Sequence, residues 1–164
     1  HDRTIEAMAI ASQQMSDLHL IHYGGGDEKK RDELLELTHN LGISERVHFV
    51  GMQPQKNVAR LNHIGDVAIY ASDNEPFGLV ALESMGSGLP PVATNRGGFR
   101  DFINNRVGRL VEPTPEACAN GILEEITGNA KQVKGPRAVE HARQFTWQRH
   151  IQPMLQIFDQ NKKR

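Results

Sequence analysis

The sequence predicts an α/β domain built on a doubly wound parallel sheet of Rossmann-like type. Three observations carry that expectation. Five short apolar runs, "LHLIHY", "RVHFVG", "DVAIYAS", "PPVAT" and "GRLVE", alternate with stretches of helical period. The runs are apolar almost throughout, as strands covered on both faces are. The 164 residues, 38% hydrophobic and 24% charged, suffice for one sizeable core but not two, so residues 1–164 are expected to form a single domain.

Taken in order, "RTIEAMAIASQQM" sets Ile5, Met8, Ala9 and Ser12 on one helical face, and "LHLIHY" follows as a strand closed by Gly24, Gly25 and Gly26. "DEKKRDELLELTHNLG" carries acidic residues in its first turn, Leu34, Leu37 and Leu41 at helical spacing, and a terminating Gly42. "RVHFVG" reads as a buried strand, "QKNVARLNHI" as a short helix, "DVAIYAS" as a strand and "GLVALESMGSG" as a helix ended by glycines. In "PPVAT" Pro91 is expected to fray the start of the strand, and a short helix near "GFRDFI" leads into "GRLVE". The final third is helical: residues 114–127, a segment broken at Gly135 and Pro136, and a last helix capped by Thr146. There Trp147, Ile151, Met154, Leu155 and Phe158 share a face, read first as packing and second as reaching toward a neighbouring domain. Pro153 should kink that helix, and "NKKR" is expected to be a solvated tail. The order begins with a helix, so the first strand of the doubly wound pattern is absent from the sequence.

A formal charge of −1 and a pI of about 6.8 provide no global field for nucleic acid or an anionic membrane, so any anion must be bound locally. The single cysteine, Cys118, excludes an internal disulfide framework and a Cys-rich zinc site; it reads as a small buried hydrophobe and favours a reducing, cytoplasmic setting. The eight histidines show no metal-ligand spacing, and no metal site is expected. "EKKR", Glu28 to Arg31, reads as the solvated face of an amphipathic helix rather than a phosphate clamp. No apolar run approaches the roughly 20 residues that span a bilayer, and the polar, helical opening "HDRTIEAMAI" is expected to lie inside a longer chain.

The chemistry concentrates in "NEPFGLVALESMGSGLPPVATNRGG", residues 74–98. Ligands of open parallel sheets bind outside the carboxyl ends of the strands, and "DVAIYAS" delivers the chain there just before Asn74. Pro76 ends the extended segment and Gly78 opens a helix whose first amides lack backbone partners, so Phe77, Gly78, Leu79 and Val80 form a candidate anion site. Gly78 is expected to let a ligand approach the backbone closely. The flanking carboxylates, Glu75 and Glu83, repel phosphate and must face neutral hydroxyls on either side of it. Glu83 stands where a carboxylate could accept from the vicinal hydroxyls of a ribose, leaving Glu75 for whatever lies beyond the phosphates. A nucleotide with a sugar on its diphosphate satisfies both ends. The pair of glutamates alone is weak in a chain with 20 acidic residues; the strand, Pro76 and Gly78 around it carry the reading.

"EPFGLVALESMGSGLPPVAT" resembles the signature of the large family of retaining, nucleotide-sugar-dependent glycosyltransferases with the GT-B fold (group 1, family 4 type), in their C-terminal donor-binding domain. "HLIHYGGGDEKKRDEL", "RVHFVGMQP", "DVAIYASDNEPFG", "TNRGGFRDFI", "GRLVEPTPEACANGI" and "FTWQRHI" resemble further elements of that family in the same order, so the likeness covers nearly the whole chain. It implies that Glu75 holds donor-sugar hydroxyls as the catalytic-site carboxylate, that the amides of Phe77 to Val80 meet sugar and diphosphate, and that Glu83 binds the ribose. The loop of Gly51, Met52 and Gln53 would lie along the base. It also implies transfer of a hexosyl group from a nucleoside diphosphate sugar to a glycan, lipid or small-molecule acceptor, with no cofactor and no metal required. The family's arginine and lysine on the strand and loop before the first helix, and its N-terminal acceptor domain, are not in this sequence, so the chain alone is expected to be inactive. Two rival readings are a nucleotide-sugar epimerase of the same fold, against which "EPFGLV" argues, and a non-catalytic nucleotide-sugar-binding module.

Overall fold

The structure, a computed structural model, describes residues 1–161. Helix α1 (Asp2–Ser12) buries Ile5, Met8 and Ser12 of the expected face, leaves Ala9 half-buried, and buries Ala7 and Ala11 in addition. Strand β1 (Leu20–Tyr23) leads through the glycine turn to α2 (Glu28–Asn40), where the Asp27 carboxylate accepts from the N–H of Lys29 at 3.1 Å. Gly42, at φ +69°, ends α2 as anticipated: its N–H reaches the carbonyl of His39, and that of Ile43 reaches Thr38. Leu34 is buried below this helix, whereas Leu41 falls just past its last turn and is 39% exposed. Strand β2 (Val47–Gly51), α3 (Gln55–Ile64), β3 (Ala68–Tyr70), α4 (Leu79–Gly86), β4 (Pro91–Thr94) and β5 (Arg109–Val111) follow in the expected order. Helix α5 (Pro115–Thr127) opens with proline at its first position and the Thr114 hydroxyl accepting from Ala117 N–H at 3.1 Å.

All strand pairs are parallel, but the strands form two sheets rather than one. β1 pairs with β2, with Leu20 opposite Val47; β3, β4 and β5 form the second sheet, with Ala68 opposite Pro91 and Val92 opposite Arg109. In doubly wound order the first strand lies between these two halves, and no strand among the described residues occupies that place. Pro91 does not fray its strand: it is fully buried, pairs with Ala68, and as the first strand residue it forfeits no interior ladder bond.

The core has three parts. Ile5, Met8, Leu34, Ile43 and Val47 pack under the first sheet; Leu82, Met85, Phe99, Phe102 and Val107 fill the space around α4. Between them Ala7, Ala11, Cys118 and Ala119 are small enough for α1 and α5 to approach closely, which joins the halves. Cys118 is buried as expected, and burial raises its thiol above the usual value. The expected break at Gly135 and Pro136 is absent: α6 (Ala130–Ala142) runs through both. An internal proline costs a helix about 3 kcal/mol, but here Ala130, Gly135 and Ala138 are buried and Gly135 lies so close to Gly88 that a Cβ would stand 2.6 Å from its carbonyl oxygen. Helix α7 (Trp147–Asn161) runs through Pro153, with Arg149 N–H directed at the Thr146 hydroxyl at 3.4 Å. The packing expected of its apolar face does not occur: Trp147 is 72% exposed, and Ile151, Leu155 and Phe158 are exposed with it. The side chains of Pro153 and Met154, and residues 162–164 of the tail, lie outside the described residues.

Candidate functional site

β3 ends at Tyr70 on the carboxyl edge of its sheet, and residues 71–78 form the loop that carries the chain into α4. Three contacts fix this loop. Arg3, from the first turn of α1, donates to the Ala71 carbonyl at 2.8 Å and to the Asp73 carboxylate at 2.8 Å, which raises the guanidinium pKa and lowers that of Asp73. Thr94 donates its hydroxyl proton to the Ser72 carbonyl. Gly98 N–H donates to the Glu75 carbonyl at 2.8 Å, and neither Gly97, at φ +53°, nor Gly98 has room for a Cβ beside the Glu75–Phe77 backbone.

Glu75 is half-buried, and its Oε1 accepts from the N–H of Gly78 at 3.0 Å. The second oxygen, Oε2, receives no hydrogen bond from the described residues. The reason for glycine at 78 differs from the expected one. Gly78 is buried at φ +95°, and a Cβ there would stand 2.7 Å from the ring of Phe99; it is glycine because the chain turns left-handed against an aromatic ring, not because the backbone is open to a ligand. Its amide is likewise taken by Glu75 rather than free for an anion. Phe77 turns its ring into the core against Phe102, with centroids 6.0 Å apart.

Leu79 and Val80 begin α4. Ala81 and Leu82 donate to the Gly78 carbonyl at 3.0 and 3.2 Å, whereas the N–H groups of Leu79 and Val80 open the helix without a protein acceptor among the described residues. Both residues are about half exposed, and Glu83 lies one turn further along the same exposed face, while Ala81, Leu82, Ser84 and Met85 are buried opposite. Val80 and Glu83 line the mouth of a groove of about 590 Å³ with Tyr23, Asn62 and Tyr70. Tyr23 donates to the Asn62 side-chain oxygen at 2.6 Å and Tyr70 to the Val80 carbonyl at 2.9 Å. Burial pushes both phenols above their usual values, and the charge of Glu83, which lines the same groove, adds to it.

The Gly51, Met52 and Gln53 loop follows β2 at the same carboxyl edge. Gly51 turns at φ +66°, its carbonyl accepts from Gly24 N–H at 3.0 Å, Met52 is 75% exposed against Gly25, and Gln53 donates to the Val50 carbonyl at 2.7 Å. Sequence reasoning did not identify Arg3, Tyr23, Asn62, Tyr70, Gly97 and Gly98 as parts of this site. The Gly97-Gly98 pair just after a strand was a usable signal; Arg3 and Asp73, 70 residues apart, left none. Among the described residues no three His, Cys, Asp or Glu side chains are placed to hold a metal ion, and no helix is long and apolar enough to cross a membrane.

Parallel strands joined through helices, with a helix opening on unpartnered amides at their carboxyl ends, define a Rossmann-like α/β domain. The chain belongs to the glycosyl transferases group 1 family, whose pattern it matches over residues 1–144. It is 35% identical over 136 residues to a D-inositol 3-phosphate glycosyltransferase of Corynebacterium diphtheriae, covering 80% of this chain and 32% of that one. A protein of the same description from Mycolicibacterium gilvum is 33% identical over 92% of this chain and 35% of its own. Among solved structures, sucrose-phosphate synthase of Thermosynechococcus elongatus superposes with a TM-score of 0.86 at 29% identity, over 98% of this chain and 43% of that one. HepE of Anabaena, solved with UDP and glucose, gives 0.82 at 27% identity over 95% of this chain and 44% of that one. The architecture is thus that of glycosyltransferases with the GT-B fold, and the chain spans about a third of the length of these curated relatives.

Proposed function

We propose that this chain is the donor-binding domain of a retaining glycosyltransferase that moves a hexosyl group from a nucleoside diphosphate sugar to an acceptor held by a second, N-terminal domain. The observation that carries this reading is the opening of α4: two unpartnered amides, Leu79 and Val80, between a half-occupied carboxylate, Glu75, and an exposed one, Glu83. Diphosphate oxygens meet the amides, where the helix dipole favours negative charge by about 0.3–2 kcal/mol. As the glycosidic C–O bond breaks, charge grows on the departing phosphate, and donors already fixed in place stabilise it without reorganising. Glu83 accepts from the ribose hydroxyls, Oε2 of Glu75 from the sugar hydroxyls, and residues 51–53 lie along the base. The acceptor attacks from the face the leaving group departs, Glu75 positions the sugar rather than attacking it, and no cofactor or metal is assigned a step.

Calorimetry of the chain against UDP-, GDP- and ADP-sugars tests the reading. One nucleotide class should bind, and Glu83→Ala should weaken it by about 1.5–3 kcal/mol, the range for hydrogen bonds to a charged group, without lowering thermal stability. Binding that is equal in the wild type and the Glu83 variant would remove the ribose assignment, and no binding of any of the three would remove the function.

A further inference from the structure

The groups assigned to the donor stand on two different supports. The amides of Leu79 and Val80 and the Glu83 carboxylate belong to α4, which is anchored through Ala81, Leu82, Ser84 and Met85, all buried. Glu75 belongs to the loop before it, and its carboxylate meets the Gly78 amide only where the path of that loop delivers it. A change confined to the loop therefore acts on Glu75 and leaves the α4 groups in place.

Two carbonyls of the loop are fixed from one side. Thr94, fully buried in β4, donates to Ser72, and Gly98, just past that strand, donates to Glu75 at 2.8 Å. Asp73 and Asn74 lie between those fixed points. Among the described residues the one hydrogen bond that ties this pair to the rest of the protein is the bond Arg3 gives the Asp73 carboxylate. The same guanidinium holds the Ala71 carbonyl, both at 2.8 Å. Its side chain is 21% exposed and that of Asp73 64%, and an ion pair so exposed adds little stability. What the guanidinium supplies is direction, because donors fixed in one plane hold a carbonyl and a carboxylate in one relative orientation. Arg96 also acts on the Asp73 charge, after Arg3, so a carboxylate released by Arg3 is drawn toward a second cation.

We infer that Arg3 is a positioning residue for the sugar half of the donor site: its fork sets the path of residues 71–74, and with it the point at which the Glu75 carboxylate meets the donor's hydroxyls. The inference rests on the donor reading. In this role Arg3 acts through Glu75 and leaves the nucleotide half, carried by α4, untouched.

Two readouts on the 164-residue chain test it, and the first needs no ligand. The Gly78 amide is covered by the Glu75 carboxylate, so its hydrogen exchange reports where that carboxylate stands; the amides of Ala81 and Leu82, bonded to the Gly78 carbonyl, report α4. Arg3→Met, and Asp73→Ala as the milder change at an exposed position, should each speed exchange at Gly78 by about tenfold or more and leave Ala81 and Leu82 unchanged. The second readout is calorimetry with UDP and UDP-glucose, GDP and GDP-mannose, and ADP and ADP-glucose. For the pair that binds, the advantage of the sugar nucleotide over the bare diphosphate should shrink by about threefold or more in both variants, with the diphosphate itself bound as by the wild type. Lys30→Met, which breaks the exposed pair with Asp2 in the same turn of α1, should change neither readout. Unchanged Gly78 exchange in both variants, faster exchange with the sugar advantage intact, equal weakening of diphosphate and sugar nucleotide, or no sugar advantage in the wild type would each overturn the inference while nucleotide binding still stands. A wild-type chain that binds none of the six removes the donor reading and this inference with it.

Discussion

Glu75 and Gly78 act as a closed pair at the start of α4. The carboxylate can reach the amide because Gly78 turns left-handed, and it can turn so because no side chain stands between it and Phe99. Gly78→Ala should therefore cost more than a helix-cap change. A left-handed non-glycine residue costs about 1–2 kcal/mol, and the forced contact with Phe99 adds about 1–3 kcal/mol of overpacking. Urea denaturation should show a loss of about 2–5 kcal/mol; a loss below about 1 kcal/mol would mean the ring moves aside freely. Gly97 and Gly98 do the same work one loop away, holding the Glu75 carbonyl where a Cβ cannot fit. The site is thus positioned by what three glycines omit.

Among the elements, β5, α5 and α6 are tied by one carboxylate. Glu125 is 2% exposed, and its Oε1 accepts from Arg109 at 2.8 Å and from Lys134 at 2.7 Å, while Oε2 finds no partner among the described residues. Removing the anion leaves Lys134, with only 16% of its side chain exposed, to the Gly108 carbonyl at 3.1 Å and no counter-charge. Glu125→Ala should destabilise the fold by about 3 kcal/mol, the lower end for breaking a buried pair, whereas Asp73→Ala, at the exposed pair with Arg3, should cost under about 1 kcal/mol; chemical denaturation of the two variants checks the contrast. β1 supplies a second element-scale effect. Burial holds the His22 imidazole below its usual pKa of 6.5, so the folded state prefers it neutral. Its stabilisation is present above 6.5 and falls as pH drops through that value toward the folded one, because the unfolded chain takes the proton first. Unfolding at about pH 7.5 and about pH 5.5 should show that loss, and His22→Phe should reduce the pH slope.

Elements were legible in the sequence to the extent that period and turn chemistry decide them. Eleven of the helices and strands appear in the expected order because apolar spacing, Gly42, Thr114 and Gly78 act locally. What failed depends on partners far along the chain: the helix continues through Gly135, where Gly88 packs too closely for any side chain, and Trp147 is exposed because the described residues offer its face nothing to cover it. For the site, the placement of Leu79, Val80 and Glu83 on one exposed face followed from helical spacing. The capture of the Gly78 amide by Glu75 did not, since it needs a left-handed turn beside Phe99, 21 residues further along the chain, where no Cβ fits.

At the scale of the whole molecule, the donor reading supplies one wall of a reaction site. Glu75, Leu79, Val80 and Glu83 all stand at the carboxyl edge of the sheets, open to solvent on the side away from the core. Group transfer gains roughly 7–11 kcal/mol from holding donor and acceptor in attack geometry, and a closed cleft keeps water from competing for the sugar. A wall with no acceptor site opposite it provides neither. The chain should therefore bind a sugar nucleotide without turning it over: release of nucleoside diphosphate from UDP-glucose or GDP-mannose, followed over hours, should match the protein-free rate. The same chain joined to an acceptor domain taken from one of its longer relatives should release it, and Glu75→Ala should abolish that release while sparing nucleotide binding. Turnover by the isolated chain, lost in Glu75→Ala, would show instead that this one wall already holds every group the reaction needs.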